Sequence, residues 1–123
     1  MSSPRYSYRE EEHSRVLDVQ LLEAAQNDTR AEIECVLDLD DLDEVAGIEV
    51  LDLGKQLGIP GAACIEPIES GTLRISYDER SDVLYLKLGV GVRAQRQIDA
   101  QAAFFLNKKL MLSRIQVVFA RRG

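Results

Sequence analysis

The feature that most constrains the fold of this chain is an internal repeat at a fixed spacing of 67 residues. One further match lies outside this spacing: Ser7 and Tyr8 correspond to Ser76 and Tyr77, which are 69 residues later. The difference of two means that the first turn is two residues longer in the first half than in the second. Such self-similarity indicates a duplicated structural unit. Six apolar residues have identical counterparts 67 positions later, without a gap: Val16, Leu17, Leu21, Leu39, Ile48 and Val50 match Val83, Leu84, Leu88, Leu106, Ile115 and Val117.

Both halves of the chain alternate between apolar and polar residues, which is the pattern of a half-buried β-strand. We therefore predict an all-β protein with one short helix. Its two four-strand antiparallel meander repeats are expected to pack as a pseudo-dimer. The first repeat covers residues 5–57, a Pro- and Gly-rich linker covers 58–71, and the second repeat covers 72–120.

The short helix is predicted over residues 53–57, at the end of the first repeat. Asp52 is a residue type that caps helix N-termini, and Gly58 suits a left-handed C-terminal end. A repeat of about fifty residues buries too little apolar surface to be stable alone, so the apolar faces of the two repeats are expected to cover each other. The residues predicted for this core are Leu17, Leu37, Leu39, Ile48, Val50, Leu84, Leu86, Leu106, Ile115 and Val117.

Charge is divided unevenly along the chain, whose net charge is −6. Residues 1–61 carry 5 basic and 15 acidic side chains, whereas residues 62–123 carry 10 basic and 6 acidic ones. We expect the two halves to attract each other, within one chain or across a dimer. The net negative charge argues against nucleic acid as a partner, because phosphates would be repelled. Without a long apolar run or a signal peptide, we predict a cytoplasmic protein with no membrane partner.

Two motifs of the chain resemble a known family. The segment 77–88 reads Y-D-E-R-S-D-V-L-Y-L-K-L, and the segment 38–51 reads D-L-D-D-L-D-E-V-A-G-I-E-V-L. The first resembles the opening, and the second the ending, of the small bacterial and phage family known as domain of unknown function 2283. The resemblance covers most of the chain outside the linker. Some members of that family lie beside toxin-like proteins, which implies a binding role, including that of a toxin partner.

Each repeat keeps only one of the two family motifs. In the first repeat the opening is lost, since Arg9 and Asp18 stand where the pattern has Asp and its second Tyr. In the second repeat the ending is lost, since Arg114 and Gln116 replace its Gly and Glu, and Asp43 replaces a turn glycine in the first. The chain therefore resembles a fused and diverged dimer. Any site shared between the copies would survive only once.

Few residues point to specific chemistry. The acidic stretch 38–44 matches a calcium-binding EF-hand loop at positions 1, 3 and 12 but not at 5 and 6, which favours an exposed hairpin turn. His13 lies in a charged turn without a positioned partner, so it does not suit a general base. We predict no catalytic residue, no metal ligand and no cofactor. The candidates for a ligand or interaction groove are Tyr77, Asp78, Asp82, Tyr85 and Glu49; Asp78 and Asp82 also suit turn capping.

These observations favour a non-enzymatic protein-interaction module that binds another protein or self-associates as a homodimer. The alternative is a small-ligand-binding or hydrolytic module that uses a groove between the two repeats. A deep cleft lined by the candidate residues would favour this alternative. The last strand, residues 110–119, is long and apolar, and we expect it to be the exposed edge through which a dimer forms.

Overall fold

The structure is a computed structural model that describes residues 4–23, 28–89 and 94–120. Strands make up 61% of the described residues, against roughly a quarter in an ordinary globular protein, so the all-β prediction is confirmed. The strands are β1 Arg5–Glu10, β2 Ser14–Gln20, β3 Thr29–Leu39, β4 Val45–Leu51, β5 Ile68–Ser70, β6 Leu73–Asp78, β7 Val83–Leu88, β8 Arg96–Leu106 and β9 Leu112–Ala120. Two short helices, α1 Leu53–Leu57 and α2 Gly61–Cys64, lie between β4 and β5.

All nine strands form one antiparallel sheet in the order β1-β2-β9-β8-β3-β4-β7-β6-β5. The prediction of two contiguous meanders is wrong at one step in each half, because β2 pairs with β9 and β7 pairs with β4. The reason lies in the two longest strands. β3 and β8 pair with each other over eleven residues, and each has its own hairpin partner on its other side. Strands β2 and β7 are thereby left to pair with the opposite half.

The same order corrects the prediction of an exposed last strand. β9 is paired with β2 over residues 114–120 and with β8 over residues 112–117, so it lies inside the sheet and is not an edge strand. The edges of the sheet are β1 and the three-residue strand β5. An apolar strand gains most from a position between two neighbours, which is where β9 lies.

The pairing registers repeat at the spacing found in the sequence. Glu34 faces Gln101 at the midpoint of the β3–β8 pair, and these two residues are 67 apart. Leu17 faces Val117 between β2 and β9, and Val50 faces Leu84 between β4 and β7, so a shift of 67 converts either pair into the other. A bulge follows residue 38 in the β3–β4 pair and residue 105 in the β8–β9 pair.

The β3–β4 and β8–β9 turns have the same hydrogen bonds. The Asp40 side chain accepts from the backbone N–H groups two and four residues later, each at 2.8 Å. Asn107 does the same, at 2.9 and 3.0 Å. Asp43 and Leu110, again 67 apart, both have positive φ, at 59° and 63°. The acidic stretch is thus a hairpin turn in which the Asp40 carboxylate satisfies backbone donors.

One face of the sheet, here called the inner face, carries a continuous apolar core. All ten predicted core residues are buried in it. The sheet curls around this core, since Tyr8 of β1 accepts a 2.9 Å hydrogen bond from the Val45 N–H of β4, although four strands separate them. Arg15 lies 3.9 Å from the centre of the Tyr8 ring and donates to the Asp43 carbonyl at 3.0 Å, which holds the two ends of the curl together.

Residues 58–71, for which the sequence indicates a linker, contain α2 and β5 and contribute Cys64 and Ile65 to the core. The predicted helix over 53–57 is confirmed, and Gly58 ends it with φ 78° and an N–H bond to the Gly54 carbonyl. The predicted cap is wrong: Asp52 has φ 54° and makes no side-chain bond to the helix.

The acidic and basic halves of the chain are joined by two ion pairs. Arg114 binds Asp18 through two contacts of 2.8 and 2.5 Å, and Arg96 binds Asp43 at 2.8 Å. Both cysteines, Cys35 and Cys64, are buried as free thiols.

Candidate functional site

The structure divides the five candidate residues into two groups, so the groove expected to unite them does not form. Tyr77 faces Leu84 across the β6–β7 pair and lies on the inner face, whereas Tyr85 lies on the opposite, outer face. This follows from the alternation of side chains along a strand. Asp78 and Asp82 lie at the β6–β7 turn, and Glu49 faces Tyr85 across the β4–β7 pair.

The first group is a structural anchor. The Tyr77 hydroxyl donates to Asp82 Oδ1 at 2.5 Å, and the same carboxylate accepts from the Gly54 N–H at 2.9 and 3.0 Å. The hydrogen bond from Tyr77, followed by that from Gly54, lowers the pKa of Asp82. The bond to Asp82, followed by burial, raises the pKa of Tyr77 to about 12. Asp82 therefore caps α1 from the β6–β7 turn, in place of Asp52.

The anchor borders a shallow cavity of 490 Å³ beside α1 and α2. Two of its polar side chains are already engaged, since Tyr77 and Asp82 bind each other, and a Cβ on Gly61 would collide with the Tyr77 ring. Asp78 lies outside this contact and accepts from the Arg80 N–H at 3.0 Å, which is the turn-capping role. This region thus stabilises the packing of the helices on the sheet.

The second group lies on the outer face around a buried carboxylate. Asp38 is only 8% exposed and accepts from Gln97 Nε2 at 2.7 Å and from the Tyr85 hydroxyl at 3.4 Å. Tyr85 reaches it by lying across Gly47, where a Cβ would be 2.6 Å from the phenol oxygen. Burial, followed by the charge of Asp38, raises the pKa of Tyr85. At neutral pH this tyrosine is a neutral hydrogen-bond donor.

Beside this group the outer face opens into a cleft of 860 Å³, here called the central cleft. It lies over the midpoint of the β3–β8 pair, and α1 forms one wall. Four carboxylates and one lysine account for its charged groups, and the residues that line it are Glu34, Cys35, Val36, Glu49, Leu51, Asp52, Lys55, Gln56, Asp99, Ala100 and Gln101. The cleft is thus acidic.

Of the five candidate residues, only Glu49 lines the central cleft. The other residues that line the cleft were not identified from the sequence, and Glu34, Asp99 and Gln101 are the most informative of them. Their signal was present: they are the polar members of alternating strands, and the 67-residue spacing makes Glu34 the counterpart of Gln101. What was lacking was the pairing of β3 with β8, which joins them on one surface.

Within the described residues, no group of three or more His, Cys, Asp and Glu side chains is arranged to hold a metal ion. Across the same residues, no helix has the length and apolar character needed to cross a membrane. Comparisons of the chain with known protein families, with curated proteins and with solved structures found no match.

Proposed function

We propose that the chain consists of two diverged copies joined as a pseudo-dimer and acts as a protein-interaction module through the central cleft. The repeated registers and the matching turns support the two-copy interpretation, with an approximate twofold axis between Glu34 and Gln101. In this arrangement the copies exchange strands, since β4 of one pairs with β7 of the other and β2 with β9.

The observation that carries the proposal is where the two intact motifs meet. β4 carries the motif that resembles the family's ending, and β7 carries the one that resembles its opening. Their pairing sets Glu49 opposite Tyr85 at the border of the central cleft. The two degenerate motifs meet in the other half, where Asp18 and Arg114 bind each other and fill the equivalent surface. A shared site would therefore be retained once.

The chemistry of the central cleft favours binding. Its volume lies within the roughly 300–1,000 Å³ of ligand sites, and its carboxylates line an open surface where they contact a partner directly. Leu51, half-exposed at the rim, adds apolar contact area. The hydroxyl of Tyr85 and the carboxylate of Asp38 are bound to each other, which makes them a support for the surface.

We assign the partner to another protein and not to a second copy of this chain. Neither edge of the sheet is a long apolar strand: β5 has three residues, and β1 carries Arg5, Arg9 and Glu10. Charged and short edges oppose strand-to-strand association. Light scattering over a range of concentration and salt tests this assignment. A concentration-dependent dimer would overturn it.

The two free thiols support the prediction of a reducing, cytoplasmic location.

Selection from a random peptide library on the full chain tests the interaction proposal. We expect selected peptides to lose about tenfold in affinity for Glu49→Lys, because the substitution reverses the charge of one of the four carboxylates that line the cleft. The matched control is Gln116→Lys, at the position 67 residues later on the outer face. Peptides that bind both variants equally, or the absence of any binder, would refute the proposal.

A further inference from the structure

The half of the outer face that lies away from the central cleft shows how this sheet holds arginine side chains. Two adjacent rows of side chains run across its four strands there. These strands are β2, β9, β8 and β3, in that order. The first row contains the carboxylates and consists of Asp18, Gln116, Ala103 and Glu32. The second row contains the guanidinium groups and consists of Gln20, Arg114, Phe105 and Arg30.

In that half every carboxylate of the first row is neutralised by the second row. Arg114 binds Asp18 at 2.8 and 2.5 Å, and Arg30 binds Glu32 at 2.8 Å. Both guanidinium groups also lie over the Phe105 ring, at 5.2 and 6.0 Å from its centre. Carboxylate on one side and an aromatic face on the other is a favourable environment for arginine.

The corresponding rows beside the central cleft also contain two carboxylates, Glu49 and Asp99, but lack the arginines. Asp99 is the equivalent of Glu32, whereas Glu49 is the equivalent of Gln116. The equivalent of Arg114 is Gly47, and the equivalent of Arg30 is Gln97. Glu49 and Asp99 line the cleft, and among the described residues no ion pair to either is found. These rows cross β7, β4, β3 and β8, in that order. The first row is Tyr85, Glu49, Val36 and Asp99, and the second row is Lys87, Gly47, Asp38 and Gln97.

We propose that the central cleft binds an arginine side chain of a partner protein, which supplies the guanidinium group that Arg114 and Arg30 supply in the other half. This inference rests on the proposed function, because it names the ligand of the same cleft. Glu49 and Asp99 receive the guanidinium from two sides, since they lie two strands apart, roughly 10 Å between their Cα atoms. Val36 lies between them and contacts the apolar stem of the arginine.

Arginine fits this arrangement better than lysine does. Its planar fork of donors binds two carboxylates at once, whereas an ammonium group is a compact, strongly hydrated charge. The carboxylates are spread along a row that includes an apolar valine, which suits a long, amphipathic side chain.

The probes are a short blocked peptide Ala-Arg-Ala-Arg-Ala, its lysine counterpart and spermidine, each titrated into the ¹⁵N-labelled full chain. We expect the arginine peptide to shift the amide signals of Glu49 and Asp99 and to bind about fivefold more tightly than the lysine peptide. Equal affinity of the two peptides would overturn the assignment to arginine. Tighter binding of spermidine than of either peptide would assign the cleft to a free polyamine and overturn it as well.

Two variants locate the interaction. Glu49→Gln is expected to weaken the arginine peptide about fivefold, while Glu32→Gln, the equivalent of Asp99 in the other half, leaves it unchanged. Gln97→Arg places a guanidinium where Arg30 lies in the other half, and we expect it to compete with the peptide. A Gln97→Arg chain that binds as tightly as the wild type contradicts the inference.

The library selection separates this inference from the function on which it rests. Peptides that bind the central cleft without arginine would refute the arginine assignment and leave the interaction module intact. Failure of all peptides to bind the cleft would refute both.

Discussion

At the residue scale, the carboxylate of Asp82 organises two elements that are distant in sequence. It accepts from the Tyr77 hydroxyl and from the Gly54 N–H, so the β6–β7 turn holds the start of α1. The helix is only five residues long and begins at an Asp52 that does not cap it. Its position on the sheet therefore depends on a side chain supplied from 28 residues later.

We expect Asp82→Asn to destabilise the protein by about 1 kcal/mol near pH 7, because a neutral amide oxygen makes weaker hydrogen bonds to Tyr77 and Gly54 than the ionised carboxylate does. The folded state lowers the pKa of Asp82 below its ordinary 3.8, so the ionised carboxylate stabilises the fold above that pH. This contribution is lost as pH falls below 3.8 through the folded value. The deficit of the variant in urea denaturation should thus shrink between pH 7 and 3. Asp78→Asn, in the same turn, is the control, and an equal loss in both variants would contradict the role of Asp82.

The second prediction at the scale of single residues concerns Gly47. A Cβ there would lie 2.6 Å from the Tyr85 phenol oxygen and 3.3 Å from Asp38 Oδ2. We expect Gly47→Ala to displace the ring and to cost about 1–3 kcal/mol in thermal unfolding, as overpacking does. Adding Tyr85→Phe removes the closest atom and should restore part of the loss. Additive effects of the two substitutions would show that the side chains do not collide.

At the scale of elements, a side chain of α1 extends the hydrogen bonding between β4 and β3 beyond the end of β4. β4 stops at Leu51, and the Gln56 side chain then takes the place of the next strand residue. Its Oε1 accepts from the Glu34 N–H at 2.7 Å, and its Nε2 donates to the Glu34 carbonyl at 3.1 Å and to the Leu51 carbonyl at 2.8 Å. The amide group of glutamine has the same donor and acceptor as a peptide bond, so it satisfies β3 and forms a wall of the central cleft.

We expect Gln56→Ala to raise the hydrogen-exchange rate of the Glu34 amide about tenfold, since the two hydrogen bonds that hold α1 against β3 are lost together with the one to Leu51 of β4. Lys55→Ala, one residue earlier and exposed, is the matched control. An unchanged Glu34 exchange rate in Gln56→Ala would mean that packing of Leu53, and not this amide, holds the helix in place.

At the scale of the whole molecule, the halves are interleaved. Neither half contains all the partners of its own strands, because β2 depends on β9 and β4 depends on β7. The apolar core is shared in the same way, with buried side chains from both halves in one cluster. Neither half can therefore form its complete sheet or its complete core without the other.

Cleavage of the chain tests this interdependence. Gly71 lies in an exposed turn with φ 50°, so a break after it leaves every strand intact. We expect fragments 1–71 and 72–123 to form a one-to-one complex by native mass spectrometry, with a dispersed NMR spectrum like that of the intact chain. Each fragment alone should lack a stable monomeric fold. A well-dispersed spectrum from either fragment as a monomer would argue against interleaving.

The limits of prediction from this sequence follow the range of the interactions involved. Alternation and turn residues act locally, so the strands, the α1 bounds and the core were predictable. The neighbours of β2 and β7 were not, because they depend on which of two similar hairpins each strand meets. The Asp82 cap of α1 and the cleft carboxylates other than Glu49 were missed for the same reason. The likeness to the family of domain of unknown function 2283 stays a prediction.

The interleaved strand order has a consequence for synthesis on the ribosome. Leu17 pairs with Val117, one hundred residues later, so at typical elongation rates β2 waits roughly 5 to 20 seconds for its neighbour. During that time its apolar side chains are exposed to other nascent chains. The part that emerges first is also the part with 15 acidic and 5 basic side chains. Mutual repulsion between such acidic segments opposes their association at close range until the basic half is made and the sheet closes.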